Sequence, residues 1–336
     1  KYSITSYGAD YTVDGLVKRI SNGDIYVPPF QRRFVWSLKQ GSRFVESLLL
    51  GLPVPGIFLS KEYDTQKQLV IDGQQRLRTL QNFYEGVWAP TGRVFALKGV
   101  QPQFEGVTYK TLKPEDRRRL DDSILHATIV KQDEPSDDIS SIYYIFERLN
   151  TGGTLLTPQE IRACIYHGKF NDLIKDLNQN KMWRGIYGKV DQRMRDEELI
   201  LRFFALHFNG DNYTKPMKDF LNKYMGKNRN LTLTRQSEKD FRGLFMNSIK
   251  VVYNSLGATA FKPIGKFVAA VFDSVMIGAS RRLEKGEIND LNEFRKKYQA
   301  LLKEEEYTNA TSTHTTDEKN VKSRITLATN AFADIK

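Results

Sequence analysis

Apolar positions in the first third of the chain change their spacing several times, and each change marks an element. "TVDGLVKRI" (Thr12–Ile20) predicts a short capped helix, "DIYV" (Asp24–Val27) a brief strand, and "PPFQRRFVW" (Pro28–Trp36) an extended entry into "SLKQGSRFVESLLLG". In that last stretch Ser37 is the expected N-cap, Phe44, Leu48 and Leu49 share a helical face, and Gly51 supplies the stop. "PVP" (Pro53–Pro55) breaks the chain, after which "GIFLS" and "QLVID", joined by the polar turn "KEYDTQK", predict a hairpin. Beyond Asp72 the period becomes helical, with Leu77, Leu80, Phe83 and Tyr84 on one side. "VIDGQQRLRT" (Val70–Thr79) is therefore a strand-to-helix junction. A strand "RVFALK", a helix "KPEDRRRLDDS" and a strand "ILHATIVK" follow, and "QDEPSDD" (Gln132–Asp138) reads as a linker.

From there the pattern is helical almost to the end. "DISSIYYIFERLN" carries Ile139, Ile142, Tyr143 and Phe146 on one face, and "TPQEIRACIYHG" opens with Thr157, Pro158 and Glu160 in the order of a capping box. No segment repeats another at a fixed period, which argues against a solenoid. The polar tract "EYTNATSTHTT" (Glu306–Thr316) is expected to be an exposed loop. The pattern thus predicts an α+β domain with a small mixed sheet over residues 1–135, followed by an all-helical domain over 136–336.

Composition narrows the partners. The chain has 336 residues, 40% of them hydrophobic, and 51 Lys and Arg against 40 Asp and Glu give a formal charge of +11. That excess fits a nucleic-acid or phosphate partner, although a Lys-rich solubility surface would look the same. The single cysteine, Cys164, excludes an intrachain disulfide and a Cys-based zinc site, and His126, His167, His207 and His314 lack metal-ligand spacing. No apolar run is long enough to span a bilayer, and "KYSITSYGAD" lacks signal-peptide character, so a cytoplasmic location without membrane partners is expected. The absent initiator Met suggests a trimmed chain with a neighbouring module beyond it.

The junction holds the candidate chemistry. The first N–H groups of a helix lack intrahelical partners and carry about half a positive charge, so a helix start is ready for an anion. Gly73 lets backbone approach a ligand; Asp72 can cap the helix or hold magnesium, which needs only one or two carboxylates beside phosphates. Gln74 and Gln75 can read a base edge or a ribose, or place a water, while Arg76 and Arg78 offer charge-assisted forks for phosphate. The same residues also fit an N-cap, a turn and a solvated helix face. The G-x-x-x-x-G-K-[ST] pattern of a phosphate-binding P-loop is absent. A second cluster, Gln31, Arg32 and Arg33, follows a diproline; it too has a plain reading, with Phe30, Phe34 and Trp36 in the core and the arginines in water.

In order, "IYVPPFQRRFVW", "LLLGLPVPGIFLS", "LVIDGQQRLRTLQNFYEG", "FERLNTGGTLLTPQEIRACIYHG" and "MRDEELILRFFAL" resemble the N-terminal domain of GmrSD-type modification-dependent restriction enzymes over about the first 210 residues. The resemblance implies a ParB/sulfiredoxin-like domain that binds and hydrolyses a nucleoside triphosphate, GTP or ATP. By it, Asp72, Gly73, Gln74, Gln75 and Arg76 inherit nucleotide binding and hydrolysis, and Gln31 and Arg32 are expected to face the same pocket. Arg148, Asn150, Thr151 and Gly153 become candidates for phosphate or sugar contacts, against a plain reading as a helix end closed by Asn150 and two glycines.

The resemblance also implies a DNA partner. Basic and aromatic residues interleave in "KMWRGIYGKVDQRMR", where Arg184 and Arg193, with Arg33, could grip phosphates while an exposed Trp183 or Tyr187 stacks on a base. The His-metal nuclease of the two-part enzymes has no counterpart motif in the C-terminal half, so any nuclease is expected on a separate subunit or in a lost domain. Rival readings are a non-enzymatic sensor of modified DNA, whose glutamines would pair with adenine, and a ParB-like nuclease, which the dearth of His and paired carboxylates disfavours. A homodimer is compatible with the sequence.

Overall fold

The computed structural model describes residues 3–27, 34–63, 65–134, 140–149, 156–231 and 236–336. They fall into two compact units, Lys1–Leu155 and Leu156–Lys336. The division comes later than the 135/136 boundary read from the sequence, because the helix after the linker packs against the sheet that precedes it.

The first unit is built on strands β1 (Ser3–Thr12), β2 (Ile25–Tyr26), β3 (Ile57–Lys61) and β4 (Gln68–Asp72), a two-stranded ribbon of β5 (Val87–Trp88) and β6 (Arg93–Val94), and β7 (Ile124–Glu134). The main sheet runs β1-β7-β3-β4-β2. β1 pairs antiparallel with β7, β7 parallel with β3, β3 antiparallel with β4 and β4 parallel with β2, so the sheet is mixed. The expected hairpin is β3 and β4, whereas "RVFALK" forms a strand only over its first two residues. Phe95 and Leu97 leave the ribbon to enter the core instead.

Helices α1 (Val13–Ser21), α2 (Leu38–Leu49), α3 (Gln74–Glu85), α4 (Pro114–Asp122) and α5 (Ser140–Leu149) complete the unit. The sheet buries one face through alternation: Ile57 and Leu59 of β3, Val70 of β4, and Leu125, Ala127 and Ile129 of β7 form one cluster with Leu16 of α1 and Leu77 of α3. A second cluster joins the helices and the ribbon through Phe44, Leu48, Leu80, Phe83, Trp88 and Phe95. Thr12 caps α1, and Ser37 caps α2 in a reciprocal box with Gln40, as the sequence indicated. α5 belongs here because it packs on β4 and β7, and the Ser141 hydroxyl donates to Gln132 Oε1 of β7.

The second unit is all helical among its described residues: α6 (Pro158–Ile165), α7 (Lys169–Leu177), α8 (Lys181–Tyr187), α9 (Arg195–Asn209), α10 (Met217–Asn228), α11 (Glu238–Leu256), α12 (Ala269–Leu283), α13 (Leu291–Leu301), α14 (Glu305–Ser312) and α15 (Glu318–Phe332). α12 is central, with Ala270 to Ser280 buried all round its surface. It meets α15 at Gly278, where an added Cβ would lie 2.8 Å from the Ala328 carbonyl oxygen. The tract expected to be a loop at 306–316 is mostly helix α14, since Tyr307, Ala310 and Thr311 fall on one face and are buried. No helix among the described residues is long and apolar enough to cross a membrane.

Candidate functional site

β4 delivers the chain into α3 through Gly73, whose φ of 100° and ψ of 8° are left-handed. Only glycine suits this point, and the reason is packing as well as conformation: a Cβ there would lie 2.4 Å from Ile57 Cγ2 of β3. The close approach expected for a ligand is thus made first by the neighbouring strand.

Asp72 does not cap α3. Gly73 takes the N-cap position and has no side chain to bond the first turn, and no acidic residue sits in that turn. The start of α3 therefore has neither a capping side chain of its own nor a first-turn carboxylate to offset its positive end, unlike the side-chain-capped starts of α1 and α2. The Asp72 Oδ2 carboxylate oxygen accepts from Arg76 Nη2 at 2.8 Å, and the same nitrogen donates to the Gly56 carbonyl at 2.9 Å. Arg76 is largely buried, with its Nε lacking a partner, while the Asp72 side chain is half exposed. These bonds fix the guanidinium across the mouth of the junction.

The two glutamines separate in role. Gln75 Oε1 accepts from the backbone N–H groups of Val35 and Trp36 at 3.0 and 3.2 Å, so it ties α3 to the segment directly after the Gln31–Arg32 pair. Phe34 and Trp36 anchor that segment by edge-on packing against Trp88 and Phe44, with ring centroids 4.8 and 5.7 Å apart. Gln74 is buried. Arg78, one turn further on, has no ion pair or hydrogen bond to a described residue, and burial lowers its pKa from the ordinary guanidinium value. Gln31, Arg32, Arg33 and Asn150 lie outside the described residues.

As a metal ligand Asp72 stands by itself. One of its oxygens is committed to Arg76, and among the described residues no three His, Cys, Asp or Glu side chains gather to hold a metal. Asp72 offers a single carboxylate, which would hold magnesium only together with the oxygens of a bound phosphate.

The expected DNA contacts need correction. Trp183 is fully buried: its Nε1 donates to Asn178 Oδ1 at 2.8 Å and its ring packs among Tyr187, Phe245, Phe267 and Phe272, so it cannot stack on a base. Arg184 is spent internally on Asp196 and Asn178, at 2.8 and 2.7 Å, and lies over the rings of Trp183 and Tyr187. Arg193 is half exposed, with its Nε held by Glu160 at 3.0 Å. Residues that the motif reading passed over, Gln159, Arg195 and Arg202, instead line a cleft in the helical unit. The capping box "TPQE" and the cluster "RMRDEE" contain Gln159 and Arg195, and Arg202 follows two helical turns after Arg195, but nothing in the spacing shows that they converge.

A small mixed sheet that hands a glycine turn to an uncapped, arginine-bearing helix defines an α+β domain with an anion-ready junction. Residues 13–167 match the family model described as the GmrSD restriction endonuclease, N-terminal domain. That segment is a GmrSD N-terminal domain, in agreement with the resemblance of its motifs, and the protein is a component of a restriction system. No curated protein matches the chain.

Proposed function

We propose that the β4–α3 junction binds and hydrolyses a nucleoside triphosphate, GTP or ATP, as the nucleotide-driven component of its restriction system. The observation that carries this reading is the tie from Gln75 to Val35 and Trp36, which gathers an uncapped helix start, Arg76, Arg78 and the end of the "PPFQRRFVW" segment at one place. Phosphate oxygens accept from N–H groups of the first turn of α3, which Gly73 leaves without a capping side chain, and Arg78 supplies a cation with no ion pair to a described residue to displace.

Hydrolysis then proceeds by attack of a water oxygen on the γ-phosphorus. The bond to the β–γ bridging oxygen breaks and its electron pair leaves with the nucleoside diphosphate, while the water proton passes to solvent by way of the second Asp72 oxygen. Arg76 and Arg32 balance the charge that develops on the transferred group, and Gln75 positions the motif segments without touching the reacting atoms. Cleavage of DNA is assigned to a separate nuclease subunit.

Arg76→Ala is expected to abolish triphosphate turnover while circular dichroism and the thermal midpoint of the chain stay near wild type; undiminished turnover in the purified variant rejects the assignment. A thermal-shift panel of GTP and ATP, beside modified and unmodified duplexes, separates this reading from a sensor. A shift with nucleotide alone supports it, and a shift with DNA alone replaces it by the non-enzymatic alternative.

A further inference from the structure

We propose that the helical unit carries a second binding site, a cleft that takes one nucleotide unit, with its phosphate on Arg195 and its base against the aromatic wall of Tyr187 and Phe267. The cleft has a volume of about 670 Å³ and opens between the start of α6, the end of α8 and the start of α9. Its chemistry is one-sided. Arg195 opens α9, is exposed, and has no ion pair or hydrogen bond with a described residue. Arg202 and Arg193 line the same space but are held in place by Asp273 and Glu160 respectively. The lining carboxylate, Glu198, is engaged by Arg162 Nη1 at 3.3 Å.

The floor asks for an acceptor. Gln159 lines the cleft yet is only 1% exposed; its Oε1 accepts from Arg162, and its Nε2 has no acceptor among the described residues. Behind it, Arg162 Nη2 and Asn222 Nδ2 are also buried without acceptors. Of the three, Gln159 belongs to the lining of the cleft, and a buried donor left unmade there is a cost that a ligand oxygen removes. Gln159 is also the second residue of α6, where its backbone N–H has no intrahelical acceptor; the capping box of Thr157 and Glu160 serves the neighbouring position. Side-chain amide, helix start and arginines therefore agree on an anion.

Size and shape extend the ligand beyond an anion. Inorganic phosphate would fill a small part of a cleft in the range that encloses organic ligands of some tens of atoms. Tyr187 and Phe267, 5.3 Å apart and edge-on, give the remaining volume an aromatic side suited to a planar base, and Arg184 over the Tyr187 ring holds that wall in place. A free nucleoside monophosphate and a nucleotide of single-stranded DNA present this same chemistry. The site lies in a different unit from the β4–α3 junction and does not depend on that junction hydrolysing anything.

The test uses the full chain carrying Arg76→Ala, so that the junction contributes no turnover, with and without Arg195→Glu and Arg195→Lys. A carboxylate in the first turn of α9 suits the helix dipole, so the Glu variant keeps its fold, which the thermal midpoint checks. Probes are a fluorescein-labelled ten-nucleotide thymidine strand read by anisotropy, and dTMP, deoxyribose 5-phosphate and inorganic phosphate read by calorimetry. We expect Arg195→Glu to weaken the strand, dTMP, or both at least tenfold, with Arg195→Lys intermediate, and dTMP to bind at least tenfold more tightly than deoxyribose 5-phosphate. Loss confined to the strand identifies DNA as the source, and loss confined to dTMP identifies a free nucleotide; either supports the site. Unchanged binding of both in Arg195→Glu overturns it, as does equal affinity for dTMP and inorganic phosphate. In the otherwise wild-type chain Arg195→Glu should leave triphosphate turnover unchanged, so failure here and failure of the junction assignment are read separately.

Discussion

Glu197, in the first turn of α9, keeps a carboxylate oxygen buried without a partner. Burial, and then the neighbouring Asp196, push its pKa up to about 7 from an ordinary value of 4.5. The folded chain therefore holds a proton here between about pH 4.5 and 7 that the unfolded chain gives up, and this contribution to stability is lost as pH rises through 7. Glu197→Gln, which cannot ionise, should be more stable than wild type by on the order of 3 kcal/mol at pH 8 and no different at pH 4. Urea unfolding of the two chains across that range checks this, and a pH-independent gap would reject it. His207 slopes the other way: burial lowers its pKa to about 4, so wild type and variant alike lose stability as pH falls from 6.5 towards 4. At this scale the sequence named the junction residues but not their duties. Gln75 and Asp72 are the same residue types whether they face a ligand or the fold, and only their bonds to Val35, Trp36 and Arg76 separate the two.

Elements were legible where one face is buried. α1, α2 and α6 show their caps and periods in sequence, and β3 and β4 show theirs as a hairpin. β1 leaves no pattern in the sequence because most of its residues are exposed on both faces, which erases the alternation that betrays a strand. α14 was hidden for the opposite reason: its Thr, Asn and Ser look like loop chemistry, yet Tyr307 fixes a buried face. The β4–α3 junction is the element boundary with the narrowest tolerance. Gly73→Ala must pay for a left-handed backbone and for contact with Ile57, and should lower the unfolding free energy by about 3 kcal/mol. A denaturation midpoint within error of wild type would mean that β3 gives way more easily than its packing implies.

Across the molecule, the helical unit depends on a charge that the sequence pattern could not place. Asp273 of α12 is fully buried and binds Arg202 of α9 at 2.5 Å and Arg324 of α15 at 3.1 Å. Asp273→Asn would leave two guanidinium groups without their counter-charge and should destabilise the unit by about 3–5 kcal/mol, with amide exchange rising first in α9, α12 and α15. Exchange that stays at wild-type rates in those helices would show that the arginines find other acceptors. Residues 202, 273 and 324 meet only once three helices are packed, and no spacing along the chain announces such a meeting.

The order of the main sheet has a consequence for how the protein is made. β7 lies between β1 and β3, and its His126 meets Asp10 of β1 across 116 residues of chain. During synthesis β1 leaves the ribosome among the first segments and stays unpaired until β7 follows, while the β3–β4 hairpin waits with one edge of β3 unpaired. A chain that stops before residue 124 has an edge with no strand to receive it. The β4–α3 junction, which begins in that hairpin, is then assembled on a sheet completed only when the last strand inserts between the earlier ones.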